Sequence, residues 1–253
     1  MKPFKSSAAL KADAREQLLG KYKIVVLAYM IMQLFISGCL TLAESQINMQ
    51  SPAGLFIYYA VYFIVVLLSA IFVAGQNYLY LNIARGRKYA VSDIWYAFKY
   101  CADRAIKVQL RIFLLAIPYA VPFLLCTAVM LYTKNYYFSI PVAIFFLLFL
   151  GGVLMLNLNY AQTLFLILDD TNESTAAIFA RSRSMMTGHR WNYFYLLVSF
   201  IGVMSLSILT FGIATFWVYP YMTATKTNFY LALLDEEADG SQTFESLDAP
   251  SSI

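Results

Sequence analysis

Few residues in this chain could do acid–base or nucleophilic chemistry. His189 is the only histidine, so a metal site built on paired histidines is excluded. Asp169 and Asp170 could complete a serine–histidine–aspartate arrangement, but no GxSxG motif accompanies them. The glycine motifs that bind nucleotide phosphates are also missing. We therefore predict that the protein is not an enzyme and that it uses no cofactor.

An acidic cluster stands just before a segment with helical periodicity. Its members are Asp169, Asp170 and Glu173. Carboxylates are stabilised at the start of a helix because the helix dipole is positive there. This explanation is the simpler one, and a cation site is the alternative.

The three cysteines, Cys39, Cys101 and Cys126, follow no metal-binding or redox spacing. We expect buried thiols that behave as small apolar side chains. Residues 36–39 resemble the lipobox of bacterial lipoproteins, which would make Cys39 a lipidated residue after cleavage. The long polar leader before them favours an uncleaved chain.

The elements that must position these residues are marked by where charge is missing. Five runs contain no Asp, Glu, Lys or Arg: residues 24–43, 45–84, 112–133, 135–168 and 191–225. About 20 apolar residues cross a bilayer as a helix, and a charge at the centre is costly. Only 13% of the residues are charged, against about 25% in soluble chains. The composition predicts an all-α polytopic membrane protein.

The cations give that protein an orientation. Lys134 alone lies on one side, while the other 17 Lys and Arg flank the opposite ends of the runs. The positive-inside rule then predicts six transmembrane helices, with both termini in the cytoplasm. Five spans would require 192–225 to cross once, but 34 helical residues rise about 51 Å through a layer about 30 Å thick. The basic clusters suit anionic lipid headgroups rather than nucleic acid.

Amphipathic segments precede the spans, and two of them align. Residues 6–12 match 174–180, and the same register pairs Arg15 with Arg183 and Gly20 with Gly188. A third segment, 91–110, has apolar residues at helical spacing. We therefore expect three hairpins of two spans, each preceded by a cytoplasmic amphipathic helix. The three predicted units cover about residues 5–75, 90–168 and 172–234 and form one domain (1–234). An acidic disordered tail (235–253) is expected to follow.

Polar residues inside the apolar runs are few. Asn157, Asn159 and Gln162 form a candidate intramembrane polar patch near the end of the fourth run. They could hydrogen-bond between helices or line a polar path, and packing is the simpler expectation. Pro118 and Pro122 predict a kink in the third predicted span.

One segment resembles a known family. Residues 182–191, with Phe194 and 199–202, and the later Pro220-Tyr221 and Phe229-Tyr230 pairs, resemble the bacterial membrane family called domain of unknown function 975. Residues 81–86, after Gly75, are also similar, so the resemblance covers nearly the whole chain. It implies a multi-span cytoplasmic-membrane protein and brings no established activity. The family's usual Asp-x-Pro is Asp170-Thr171-Asn172 here, which leaves the following helix start less fixed.

The segment that carries the resemblance also supplies a candidate cytoplasmic interface. Its residues are Asp170, Arg183, Gly188, His189 and Arg190. A more distant similarity to membrane regions fused to some glycerophosphodiester phosphodiesterases points toward lipids.

Three functional hypotheses follow. The first is a non-enzymatic protein that organises, senses or supports membrane components, with the anionic bilayer and other membrane proteins as partners. The second is a carrier or exporter of a lipid or small amphiphile, favoured by the repeat, the proline kink and the polar patch. The third is an enzyme acting on lipid headgroups through Asp169, Asp170 and His189.

Overall fold

The computed structural model describes residues 4–169 and 173–248, with side chains up to residue 239. Within these residues the chain forms helices and no strand. The helices are α1 Ser7–Leu18, α2 Tyr22–Gln46, α3 Pro52–Ala84, α4 Tyr96–Tyr100, α5 Ala102–Thr133, α6 Ser139–Tyr160, α7 Thr163–Asp169, α8 Thr175–Met185, α9 Arg190–Val198, α10 Ile201–Leu209 and α11 Thr215–Asp248. The all-α class is confirmed.

Five helical stretches are long and apolar enough to cross a membrane. They are Tyr22–Gln46, Pro52–Ala84, Ala102–Thr133, Tyr136–Asp169 and Arg190–Leu209. The sixth predicted crossing corresponds to the first half of α11, which is not among them. Lys226 and several threonines lower the mean hydropathy of this segment. The count of six therefore stays a prediction.

The segment 91–110 does not form the single helix that was predicted. It consists of a 3-10 turn (Val91–Trp95), the short α4 and the beginning of α5. Cys101 breaks the helix because its backbone adopts φ −144° and ψ 23°. From Ala102 onward, α5 continues through Pro118 and Pro122 as one assigned helix.

The two aligned segments, α1 and α8, adopt the same local structure. Ser6 caps α1 by accepting a hydrogen bond from the Ala9 N–H at 3.3 Å, and Ser174 caps α8 through the Ala177 N–H at 3.2 Å. Gly20 and Gly188 follow with φ of +74° and +91°, a region that glycine enters without strain. The buried residues also correspond along the alignment: Leu10, Ala14, Leu18, Val25, Ala28 and Met32 with Ile178, Ser182, Met186, Tyr193, Leu196 and Phe200.

The helices pack in three consecutive pairs, joined by the segments between them. Helix α2 packs on α3, α5 on α6, and α10 on α11. The segment before each pair packs on the last helices of another pair: α1 on α11, the 91–100 segment on α3, and α8 on α6 and α7. These contacts link the three pairs in a closed ring.

Burial is concentrated at one end of this ring. Buried residues concentrate in the C-terminal part of α3, the start of α5, residues 158–168 and the 218–233 part of α11. We call this the core end. At the opposite end, which we call the free end, large apolar side chains are exposed: Phe56 by 76%, Leu131 by 68% and Ile208 by 81%. The core end therefore positions every polar site described below.

The predicted acidic tail begins inside a helix. Helix α11 runs on to Asp248, and residues 249–253 lie outside the described part of the chain. The domain boundary at residue 234 stays a prediction.

Candidate functional site

One hydrogen-bonded group joins the three helix pairs at the core end. Both terminal nitrogens of Arg85, which follows α3, donate to the Asp169 carboxylate at the end of α7, each at 2.6 Å. The Tyr230 hydroxyl of α11 donates to the same carboxylate at 2.9 Å. Bidentate guanidinium–carboxylate pairs are among the strongest polar contacts in proteins. We call Arg85, Asp169 and Tyr230 the polar junction.

The two charged groups of the polar junction are partly shielded from solvent. Their side chains are 23% (Arg85) and 24% (Asp169) exposed. Hydrogen bonding to Asp169 raises the pKa of the Arg85 guanidinium above its ordinary value, so the pair is ionised at neutral pH. Its chemistry is that of a structural tie between helices.

Further polar contacts surround the polar junction. Arg104 donates to the carbonyls of Ile167 at 3.3 Å and Glu173 at 3.4 Å. Arg181 pairs with Glu173 at 3.6 Å and with Glu237 at 3.1 Å. Asp169 and Glu173 thus bind different arginines. No group of three metal-ligating residues occurs in the described part of the chain, and Asp170 lies outside it. The two described members of the acidic cluster form ion pairs, and the cation site stays an alternative.

The described residues of the predicted cytoplasmic interface lie around the turn from α8 to α9. Arg183 is exposed and Gly188 forms the turn with its positive φ. His189 lies 3.2 Å from Glu236 and its ring contacts Phe4, with the ring centroids 4.5 Å apart. Arg190 begins α9. Of the described members, none lines the cavity described next.

A cavity of about 670 Å³ lies between the helices at the core end. This volume falls within the range of roughly 300–1,000 Å³ that small-molecule sites occupy. Its walls come from α3, α5, α6, α7, α9 and α11 and from the link between α6 and α7: Val73, Asn77, Gln109, Ile112, Leu150, Val153, Leu154, Leu156, Asn157, Tyr160, Ala161, Thr163, Leu164, Phe165, Tyr193, Leu197, Tyr219, Thr223 and Lys226.

The cavity extends along α6 from Tyr160 to Leu150. Ten residues of helix rise about 15 Å, which is half of a hydrocarbon layer about 30 Å thick. Leu150 and Leu154 are 46% and 38% exposed although they line the cavity. This exposed stretch of the wall belongs to one of the five candidate spans.

The polar part of the wall contains side chains without partners. Thr163 and Thr223 donate to carbonyls of their own segments, those of Tyr160 at 2.8 Å and Tyr219 at 3.0 Å. By contrast, no hydrogen bond or ion pair within the described residues reaches the side chains of Asn77, Gln109 or Lys226; all three are on the wall. These side chains are therefore available to hydrogen-bond a polar ligand in the cavity.

The predicted intramembrane polar patch is divided between two surroundings. Asn157 lines the cavity, and its amide donates to the Val153 carbonyl at 2.9 Å. Asn159 accepts from the Ser182 hydroxyl at 3.0 Å through its backbone carbonyl, and the Gln162 amide lies 3.5 Å from the Met186 sulfur. The latter two join α8 to the preceding helices.

Sequence reasoning missed Asn77, Gln109 and Lys226 as members of one site. They lie on three helices and are far apart along the chain. Lys226 is one of the 17 cations whose placement indicates the membrane orientation. A signal was present in its neighbours, because Thr223, Thr225 and Thr227 give this part of α11 a polarity that a lipid-facing helix would not need.

The five long apolar helical stretches are those of an integral membrane protein. The chain belongs to the family described as protein of unknown function (DUF975), whose model matches residues 1–237. The resemblance seen in the sequence is thereby confirmed. No curated protein and no solved structure matches the chain.

Proposed function

We propose that this protein is a non-enzymatic membrane protein that binds a lipid or a small amphiphile in the cavity. One observation carries the proposal: the cavity has an apolar wall along α6 and unpartnered polar groups on α3, α5 and α11. An amphiphile has an apolar part and a polar part that match these two regions of the wall. The partly exposed stretch of the wall along α6 would admit a molecule from the bilayer. This supports the carrier hypothesis over the organising hypothesis.

The organising hypothesis drew on the cytoplasmic helices as surfaces for lipid or partners. In the structure, α1 buries Leu10, Ala14 and Leu18, while α8 buries Ile178 and Phe179. These apolar side chains pack inside the protein, so they leave little apolar surface for another molecule. The headgroup-hydrolase hypothesis also lacks support, because Asp169 is paired with Arg85 and does not approach His189 in any described contact.

The same proposal includes six crossings in three repeated units, with both termini in the cytoplasm of a bacterium. Helix α11 supports it by returning to α1, where the Asn228 amide donates to the Leu10 carbonyl at 3.4 Å. The core-end part of each pair also carries an asparagine followed by an aromatic residue: Asn77-Tyr78, Asn159-Tyr160 and Asn228-Phe229. A tag at the carboxyl end should be protected in intact cells. If a reagent outside the cell labels the tag, the five-span arrangement is the correct one.

Filling the cavity tests the proposed function. Val153→Trp adds a large side chain to the cavity wall, whereas Leu147→Trp makes a comparable addition to α6 at a position that is 67% exposed and off the wall. Both proteins would be purified from native membrane and examined by native mass spectrometry. We expect wild type and Leu147→Trp to carry bound amphiphile and Val153→Trp to lose it. Equal retention by Val153→Trp, or no bound amphiphile in wild type, would contradict the proposal.

A further inference from the structure

Of the described residues on the wall of the cavity, Lys226 alone is charged. It lies on α11 between buried Thr225 and Thr227 and is itself only partly exposed. Among the residues that the structure describes, no Asp or Glu lies on the wall, so none of them supplies a counterion inside the cavity. A cation held away from water is strongly disfavoured unless an anion accompanies it.

The neighbouring threonines are neutral and cannot act as that counterion. The hydroxyls of Thr225 and Thr227 donate to the carbonyls of Tyr221 at 2.8 Å and Thr223 at 3.0 Å, within their own helix. The amides of Asn77 and Gln109, on the same wall, can donate hydrogen bonds to an anion beside the ammonium group. The wall thus combines one positive charge with two neutral donors.

From this we infer that the cavity selects an amphiphile with an anionic headgroup, whose phosphate or carboxylate pairs with Lys226 while its chain lies along α6. The inference rests on the proposed function and adds the ligand class to it. Apolar residues Val73, Ile112, Leu150 and Leu154 supply the wall for the chain. Basic pockets between membrane helices are a known way to hold anionic lipid headgroups.

The test uses the full-length protein and two lipids with identical acyl chains, phosphatidylglycerol (anionic) and phosphatidylcholine (zwitterionic). Binding is measured by titration in native mass spectrometry. One basic side chain near an anionic headgroup contributes enough for a preference of about fivefold. We expect wild type and Lys226→Arg to show that preference and Lys226→Met to lose it. Lys226→Gln serves as a second neutral variant if Lys226→Met does not fold.

Lys88→Met is the matched control, because Lys88 is exposed and lies off the cavity wall. It removes the same charge from the protein and should leave the preference unchanged. Inorganic phosphate separates a lipid headgroup from a free anion: we expect no rise in the thermal midpoint of the protein with phosphate alone. A phosphate shift that depends on Lys226 would overturn the assignment to a lipid.

The two proposals can fail separately. If both lipids bind equally well to wild type, or if Lys226→Met and Lys226→Gln keep the fivefold preference, the anionic selectivity is wrong and the amphiphile site stands. If neither lipid binds to any variant, the proposed function fails and the selectivity fails with it.

Discussion

The core end and the free end of this molecule differ in which side chains they bury and which they expose. At the core end, helices from all three pairs bury side chains against one another and share ion pairs such as Arg85 with Asp169. At the free end the same helices expose large apolar residues, including Tyr132 at 90% and Phe211 at 98%. Lipid can cover apolar side chains, but it cannot satisfy charges. Specific contacts are therefore concentrated where polar groups must be satisfied.

The two ends also differ in what they could do. The free end exposes apolar surface, whereas the core end contains a cavity with defined walls. Binding energy requires groups held in fixed positions, and the packed helices of the core end provide them. The difference explains why every candidate site lies at one end.

The largest difference between the two ends is expected in the free energy of unfolding when a leucine is replaced by alanine. Leu79 in α3 is 0% exposed, and Leu79→Ala should lower the free energy of unfolding by about 2–5 kcal/mol, since a cavity replaces packed atoms. Leu131→Ala, at a residue 68% exposed, should change it by less than about 0.5 kcal/mol. Denaturant titration of both variants in detergent micelles measures the difference. Equal losses would show that the free end is packed as tightly as the core end.

Two glycines provide a second contrast. A Cβ on Gly75 would collide with the backbone carbonyl of Ile94, which cannot move without displacing the 3-10 turn. We expect Gly75→Ala to destabilise the protein by about 3 kcal/mol, the upper end of the usual cost of overpacking. Gly151 in α6 faces open space, so Gly151→Ala should stabilise its helix by up to about 1 kcal/mol.

Because the two substitutions should change stability in opposite directions, they test whether the 91–100 segment packs on α3. Thermal unfolding midpoints should fall for Gly75→Ala and rise or stay constant for Gly151→Ala. A neutral Gly75→Ala would mean that the 91–100 segment does not lie against α3.

The sequence predicted the elements better than the site. Uncharged runs identified the apolar helices, and the alignment of Ser6 with Ser174 and Gly20 with Gly188 anticipated two identical caps and turns. These features depend on local patterns. The break at Cys101 was missed because the apolar spacing of 91–110 continues across it. The cavity could not be predicted, because Asn77, Gln109 and Lys226 come to line one cavity only after separate helices pack.

The smallest contrast concerns two aspartates in ion pairs. Asp169 binds Arg85 through two hydrogen bonds and accepts a third from Tyr230, in a site about one-quarter exposed. Asp169→Asn removes the charge and leaves Arg85 without its counterion, so we expect a loss of about 2 kcal/mol in the free energy of unfolding.

Asp103 pairs with Lys107 at 2.8 Å along α5, where the aspartate side chain is 75% exposed. Because solvent and salt screen such pairs, Asp103→Asn should cost at most about 0.5 kcal/mol, and that cost should shrink in 1 M salt. Denaturant titrations at low and high salt compare the two variants. A loss for Asp169→Asn as small and as salt-sensitive as that for Asp103→Asn would mean that the polar junction is an ordinary surface pair. It would then not tie the three helix pairs together, and the packed walls of the cavity would depend on apolar contacts alone.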